Sequence, residues 1–167
     1  MFIAEHLKDS PGFGKVLLEK TLFYSDQQAY LLTGKTITGF SYVRQRFGPT
    51  VNPKELLPLT KSLEAEGRAE WKIVSVRRKS QERLIPLKPF SSNIMVLSDA
   101  ELSILREQAD KISSENATGA SNESHTKVMA WKIASNMEEL PAFTALASEA
   151  PVRESDLAWA RQQIERR

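Results

Sequence analysis

The residues best suited to acid–base chemistry in this chain are its two histidines, His6 and His125. Histidine is the usual general base near neutral pH because its imidazole titrates there. Neither stands in a known catalytic spacing, since the sequence has no H-E-x-x-H and no G-x-S-x-G, and "PGFGK" lacks the phosphate-binding spacing G-x-x-x-x-G-K-[ST]. The sequence therefore predicts a protein that is not an enzyme and uses no cofactor. A cryptic hydrolase that pairs His125 with Asp26 or Glu123 is kept as an alternative.

The absence of cysteine limits both the chemistry and the compartment. A count of zero rules out a disulfide framework and a thiolate zinc site. The two histidines are far apart in sequence and the carboxylates do not cluster around them, so no metal site is predicted. No stretch approaches the ~20 apolar residues that cross a bilayer. We therefore expect a cytoplasmic protein without a membrane segment.

Asp26 is an acid beside an apolar helix face. It lies one turn from Leu22, Phe23 and Tyr30 in "LFYSDQQAY". A carboxylate in that position needs hydrogen-bond donors, because burying it unpaired is costly. We expect Asp26 to accept hydrogen bonds from the backbone, or from a tyrosine or arginine, of the loop that follows its helix. A structural role is preferred to a catalytic one.

Basic residues occur in two short regions of the chain. The formal net charge of +2 is too small to indicate nucleic-acid binding by itself. A local patch for phosphate or an acidic partner would form if the two regions lay together, whereas a solvated turn is the simpler interpretation. A nucleic-acid-binding regulator is kept as an alternative, although nucleic acid is not the expected partner. The residues concerned are Arg44, Arg46, Arg77, Arg78, Lys79 and Arg83.

Tryptophan side chains are the next candidates for partner binding, because they are frequent anchors in protein interfaces. The chain has three, Trp71, Trp131 and Trp159. Trp131 stands between Met129 and Ile133 and is predicted to be buried. Trp159 is in the last helical pattern and is predicted to be partly exposed, since terminal helices have fewer neighbours.

These side chains must be positioned by a mostly helical fold. The 167 residues are 41% apolar and 26% charged, as in one ordinary domain. The first long helix is predicted from Lys15 to Thr33, ended by Gly34, with an inward stripe of Leu18, Leu22, Ala29 and Leu32. The second is predicted at "NPKELL", where Asn52 caps, Pro53 is the first helical residue and Glu55 reaches back to the cap. Leu56, Leu59 and Leu63 are predicted to face inward, and Gly67 is predicted to end the helix. Because Pro58 would lie beyond the first turn, a kink there or a later start of the helix is left open.

The second half of the chain contains a hairpin and further helices. "AEWKIVSV" and "RLIPL" predict two strands, the second at a sheet edge because of Pro86. Ser98 and Glu101 form a capping box, which predicts a helix from Asp99 with Leu102, Leu105, Ala109 and Ile112 inside. "SSENATGASNES" predicts a mobile loop, and further helices are predicted around 125–135 and from 153 to the end. The fold class is α+β, mostly α: a compact helical domain over residues 1–150 with a small antiparallel hairpin or sheet, and a C-terminal helix over 151–167 packed on it.

One pattern extends across most of the chain. A K-x-L-x-Y-x-D helix is followed by G-x-x-I-T-G, a tyrosine and a Gly-Pro pair, and later by Ser-His and a tryptophan. Between residues 15 and 131 this pattern resembles the Panacea domain, the SocA-like antitoxin family of bacteria and phages. The matching residues are Lys20, Leu22, Tyr24, Asp26, Gly34, Ile37, Thr38, Gly39, Tyr42, Gly48, Pro49, Ser124, His125 and Trp131.

The resemblance implies a function as well as a mostly helical fold. Members of this family bind and neutralise toxins encoded beside them, and one delivers its toxin to a protease as an adaptor. The chain is thus expected to bind a cognate protein toxin from an adjacent gene, with proteolytic adaptor activity and a protease partner as an alternative. We expect Gly34, Gly39 and Gly48 to let the loop turn tightly and Pro49 to end it. The surface proposed for the partner comprises Arg44, Arg46, Arg77, Arg78 and Trp159.

Overall fold

The computed structural model describes residues 1–76, 79–90 and 97–147. In chain order its elements are α1 (Phe2–His6), α2 (Lys15–Thr33), β1 (Tyr42–Gln45), β2 (Gly48–Val51), α3 (Pro53–Ala65), β3 (Ala69–Val76), β4 (Lys79–Pro86), α4 (Asp99–Ser113), α5 (Ala117–Lys127), α6 (Met129–Ile133) and a 3₁₀ helix, Ala142–Leu146. The strands form two antiparallel pairs, β1 with β2 and β3 with β4. The mostly helical α+β class is confirmed. The helix predicted over 151–167 lies outside the described residues.

Helix α2 runs through the middle of the fold and contacts α1, α4, α5, β2 and β4. Its predicted bounds are confirmed, and Gly34 ends it in the left-handed conformation, with its N–H donating to the Tyr30 carbonyl at 2.8 Å. Because neighbours surround the helix, buried residues lie on several of its faces rather than on one stripe. The inward position predicted for Leu32 is wrong, since the whole last turn, from Leu31 to Thr33, is exposed.

The β1–β2 hairpin was not predicted from the sequence. The stretch was interpreted as a loop, yet Tyr42 pairs with Val51 and Gln45 pairs with Gly48, which leaves a two-residue turn. Pro49 therefore lies within β2 and does not end the loop, which corrects that prediction. Proline is tolerated there because the sheet has only two strands, so its missing N–H breaks no ladder on the outer side.

Helix α3 begins at Pro53, which resolves the uncertainty about Pro58: this proline lies inside the helix. The Asn52 side chain caps the helix by accepting a hydrogen bond from the Lys54 N–H at 3.1 Å. Proline as the first helical residue loses nothing, because that N–H has no partner within a helix.

Glu55 has a different partner from the one predicted. Its Oε2 accepts a hydrogen bond from the Ser41 N–H at 3.0 Å, so it ties α3 to the start of β1 instead of closing a capping box. Leu56 and Leu63 are buried as predicted, whereas Leu59 is exposed. The helix is amphipathic over a narrower face than the sequence suggested.

The β3–β4 hairpin is confirmed, with Ala69 paired to Pro86 and Val76 paired to Lys79. Its second strand is longer than predicted, because it starts at Lys79. Arg77 and Arg78 of the predicted patch lie outside the described residues.

The capping box of α4 is present in both directions: Glu101 N–H donates to Ser98 Oγ and the Ser98 N–H donates to Glu101 Oε2 at 2.7 Å. Leu105, Ala109 and Ile112 are buried, and so is Ile104, which the sequence pattern missed.

The mobile loop predicted at "SSENATGASNES" is wrong, because most of that stretch is helix α5. Asn116 caps it by accepting hydrogen bonds from the N–H groups of Thr118 and Gly119, both at 3.0 Å. Ala120 and Ser124 are fully buried against α2 and β2. Small side chains here allow close packing of the helix, and the same composition resembles a loop in sequence. No helix in the described part of the chain is long and apolar enough to cross a bilayer.

Candidate partner-binding site

Asp26 fixes the segment between α2 and β1. It is 2% exposed, and its Oδ1 accepts hydrogen bonds from the N–H groups of Ile37 at 2.8 Å and Thr38 at 2.9 Å. Its Oδ2 accepts from the Thr38 hydroxyl and from Tyr42 OH, the latter at 2.7 Å. The predicted backbone and tyrosine partners of Asp26 are thus confirmed. Burial, with the nearby carboxylate of Asp26, holds the pKa of Tyr42 well above its usual range, so this phenol stays a donor.

Lys20 fixes β2 from inside the fold. It is 1% exposed, and its Nζ donates to the Pro49 carbonyl at 2.6 Å. Burial lowers the pKa of Lys20 to about 8, against the opposing effect of Glu19. Gly48 has φ of 102° and packs so closely on Lys20 and Ser124 that an added Cβ would collide with both side chains. The lysine and the Gly-Pro pair, 28 residues apart, are therefore one structural unit.

Trp131 fixes the other side of the same hairpin. Its Nε1 donates to the Gln45 carbonyl at 2.8 Å, and Arg44 Nε donates to the Trp131 carbonyl at 3.2 Å. The Arg44 guanidinium lies 4.7 Å from the centre of the indole ring. Trp131 is only half-buried, so its predicted burial is wrong: the five-residue α6 packs along the hairpin and leaves neighbouring Ile133 exposed.

The structure does not assemble the hydrolase pair considered from sequence. The His125 ring stacks on Trp131, with centroids 3.9 Å apart, and its Nε2 has no hydrogen-bond partner among the described residues. Burial and the charge of Lys20 lower its pKa, against a hydrogen bond to the Arg46 backbone. Glu123 instead pairs with Lys127 at 2.5 Å, and Asp26 is fully engaged by the loop. Among the described residues, His125 therefore contacts no carboxylate that could orient it as a base.

The predicted arginine patch is only partly present. Arg44 is held against Trp131, and Arg83 donates to the Pro11 carbonyl at 2.7 Å, away from the β1–β2 hairpin. The side chain of Lys79 and all of Arg77, Arg78 and Trp159 lie outside the described part of the chain. Of the cations predicted to bind a partner, Arg46 alone is seen exposed.

The exposed tip of the β1–β2 hairpin consists of Arg46 and Phe47. The Arg46 guanidinium lies 5.4 Å from the centre of the Phe47 ring, and Phe47 is 55% exposed. Sequence reasoning missed Phe47. The sequence did contain a signal, because Phe47 stands between an arginine and a Gly-Pro pair. A turn is expected at that position, so a large apolar residue there is more easily explained by an exposed site than by the core.

A groove of about 460 Å³ begins beside Phe47 and is lined by residues of α2, α3 and both hairpins. We call it the Glu19 groove, because Glu19 lines it together with Leu17, Val51 and Leu57. Glu19 is 6% exposed, and its Oε1 has no hydrogen-bond partner in the described chain. Burial raises the pKa of Glu19 from 4.5 to about 7, although Lys15 and Lys20 oppose the rise.

A family model described as "Antitoxin SocA-like, Panacea domain" matches residues 18–132. The chain belongs to this family. No curated protein and no solved structure matches it. The family is named as antitoxin-like, which supports a role in a toxin–antitoxin system in general terms.

The residues that match the family pattern mostly hold the backbone in place. Asp26 accepts from the loop, Lys20 from within α2 contacts β2, and Trp131 contacts β1. These bonds stabilise the β1–β2 hairpin and the loop before it. Of the motif residues, Tyr24 and His125 keep buried polar atoms without a partner in the described structure.

Replacing Glu19 with glutamine should change how the stability of this Panacea domain depends on pH. A carboxyl whose pKa rises from 4.5 to about 7 on folding contributes stability that is present below pH 4.5 and lost as the pH rises through 7. Glutamine does not titrate. The free energy of unfolding of Glu19→Gln minus that of wild type should therefore increase by roughly 2–3 kcal/mol when the pH is raised from 5 to 8.

Urea denaturation of both proteins at the two pH values measures this difference. The exposed Glu107→Gln variant is the control and should show no such gain as the pH rises. A difference between Glu19→Gln and wild type that is the same at pH 5 and pH 8 would show that Glu19 titrates normally.

Proposed function

We propose that this Panacea domain is an antitoxin that neutralises a cognate toxin by direct protein–protein binding, using the tip of the β1–β2 hairpin. The observation that carries the proposal is the exposure of Arg46 and Phe47 on a hairpin whose backbone is held from both sides. Aromatic and arginine side chains dominate binding hot spots. A rigid base lowers the ordering cost of binding, because the tip is already in place.

The remaining candidate functions have less support from the same residues. A nucleic-acid regulator needs several free cations, and of the described arginines proposed for a patch Arg44 and Arg83 are already bonded within the chain. A hydrolase needs a base with an orienting acid, and no acid of the described segments is bonded to His125. The adaptor alternative uses the same toxin-binding surface and adds a protease. We expect the toxin to be encoded by an adjacent gene and the complex to form in the cytoplasm.

Growth of cells that express the neighbouring reading frame tests the proposal. Arrest that is relieved when this chain is co-expressed, together with recovery of the two proteins as one complex, is the expected result. A harmless neighbour, or arrest without rescue, would refute the antitoxin function.

Phe47→Ala should abolish or strongly weaken that rescue. Loss of a hot-spot aromatic costs about 2 kcal/mol or more, which is roughly a 30-fold loss of affinity. The melting temperature should stay close to that of wild type, because the ring is mostly outside the core. Affinity of the purified pair, measured by calorimetry, gives the magnitude.

Phe143→Ala is the matched control for this variant. Phe143 lies on the 3₁₀ helix and is 60% exposed, so its truncation removes a similar area of apolar surface elsewhere. It should rescue growth like wild type. Equal behaviour of the two variants would show that the hairpin tip is not the binding surface.

A further inference from the structure

The Glu19 groove adjoins the proposed binding tip, since Phe47 lines the groove as well as forming the tip. Its volume of about 460 Å³ is that of a small-ligand or side-chain pocket. Leu17 and Val51 are fully buried at the groove, and Leu57 is exposed at it. A partner that contacts Phe47 therefore lies at a groove whose volume suits a side chain.

Glu19 provides a hydrogen-bond acceptor at the groove that is not satisfied within the described chain. The side chain is more than nine-tenths buried, yet its Oε1 accepts no hydrogen bond within the described chain. The two cations beside it have other partners: Lys20 Nζ donates to the Pro49 carbonyl, and Lys15 pairs with Glu82 at 3.5 Å. A buried acceptor without a donor is costly to keep, so a donor from outside the chain would relieve it.

The chemistry of the groove fits a guanidinium on an apolar stem. The exposed Phe47 and Leu57 suit methylene groups, and a carboxylate suits a charged, multiply donating head. The Phe47 ring already contacts one guanidinium, that of Arg46, so its face is suitable for another cation of this kind. A neutral amide could supply a hydrogen bond but, unlike a guanidinium, would not favour the charged form of Glu19, whose pKa burial raises to about 7.

We infer that the Glu19 groove receives an arginine side chain of the bound toxin, with its guanidinium at Glu19 and its stem against Phe47 and Leu57. This inference rests on the proposed antitoxin function for the identity of the partner. The groove itself does not depend on it. Arginine is preferred to lysine because its flat guanidinium combines several donors with the ability to stack on an aromatic ring.

The first experiment uses the purified product of the neighbouring reading frame and three versions of the full chain. Glu19→Gln keeps an acceptor but removes the charge, and it should weaken binding at least tenfold, as expected for removal of one member of a buried charge pair. Glu107→Gln removes an exposed carboxylate from α4 and should bind like wild type. Unchanged affinity of Glu19→Gln would overturn the inference, because a neutral donor would then account for the contact.

The second experiment uses no toxin, so it separates failure of the groove from failure of the antitoxin function. N-acetylarginine amide and its neutral isostere N-acetylcitrulline amide are titrated into the ¹⁵N-labelled chain. Saturable shifts around Glu19 and Val51 with the arginine compound alone, lost in Glu19→Gln, are expected. Equal shifts with both compounds, or none with either, would overturn the inference whether or not the chain rescues growth.

A second copy of this chain is the competing source of the arginine. Sedimentation of the wild type and of Glu19→Gln measures this directly, and both should sediment as the same species. A wild-type dimer that dissociates in Glu19→Gln would assign the groove to self-association and overturn the toxin assignment.

Discussion

Asp26→Ala should lower the free energy of unfolding by about 3–5 kcal/mol. The substitution removes the acceptor of two backbone N–H groups, those of Ile37 and Thr38, and of the buried Tyr42 hydroxyl. Each buried donor left without a partner costs about 1–3 kcal/mol. Water cannot readily compensate, because Tyr42 is itself in the core. Urea denaturation followed by circular dichroism gives the value.

Asp26→Asn is the matched variant, because it keeps one oxygen. That oxygen can still accept from both backbone N–H groups, and Tyr42 OH can turn to accept from the new amide. The loss for asparagine should therefore be clearly smaller than the loss for alanine. If both variants lost the same amount, the charge of Asp26 and not its backbone contacts would be the stabilising feature. If neither variant lost stability, the hydrogen bonds that Asp26 accepts would not contribute to the stability of the fold.

Gly48→Ala should cost about 3 kcal/mol or more, from strain at positive φ together with overpacking. The residue has φ of 102°, and an added Cβ would lie 2.6 Å from Lys20 Nζ and closer still to Ser124 Oγ. Both neighbours are buried, so neither can move into solvent. The substitution should also disturb the hydrogen bond from Lys20 to Pro49. Denaturant unfolding of the variant and the wild type measures the loss.

Gly39→Ala separates the two causes. Gly39 also has positive φ, 71°, but no heavy atom lies within 4 Å of an added Cβ. It should lose only about 1 kcal/mol, the cost of the backbone conformation alone. A loss at Gly48 no larger than the loss at Gly39 would show that the packing around Lys20 relaxes without penalty.

The sequence predicts the elements whose signals are local. Helix α2 has a glycine at its end, α3 has Asn52 and Pro53 at its start, and α4 has a complete capping box, so the position of each is readable from a few residues. The hydrogen bonding of Asp26 was also predictable, because an acid beside an apolar face needs donors and the next loop is the nearest source. Which backbone amides donate, and that the Thr38 hydroxyl also does, required the structure.

The elements that were missed depend on tertiary packing. Helix α5 is built from small and polar residues, and its burial comes from neighbours in α2 and β2 that the sequence does not reveal. Its cap, Asn116, was the available signal. The β1–β2 hairpin was hidden by Gly48 and Pro49, which normally indicate a turn, although here they form a strand under Lys20.

The burial of Glu19 and Lys20 was not predicted, for a related reason. Two charged residues in sequence usually indicate a solvated helix face. Here α2 is covered on several sides, so both side chains are buried and one oxygen of Glu19 remains unpaired. Whether a charged residue is buried depends on how many elements pack on its helix, and the sequence of the helix alone does not give that number.

Several of the bonds that hold the β1–β2 hairpin end on its main chain. Lys20 reaches the Pro49 carbonyl, Trp131 reaches the Gln45 carbonyl, and the Met137 N–H reaches the Arg44 carbonyl at 2.8 Å. Substitutions of exposed side chains that make no such bond usually change the free energy of unfolding by less than about 0.5 kcal/mol. The residues at the tip can therefore be exchanged while the scaffold beneath stays the same, and under the proposed function such exchanges would change the toxin that is recognised.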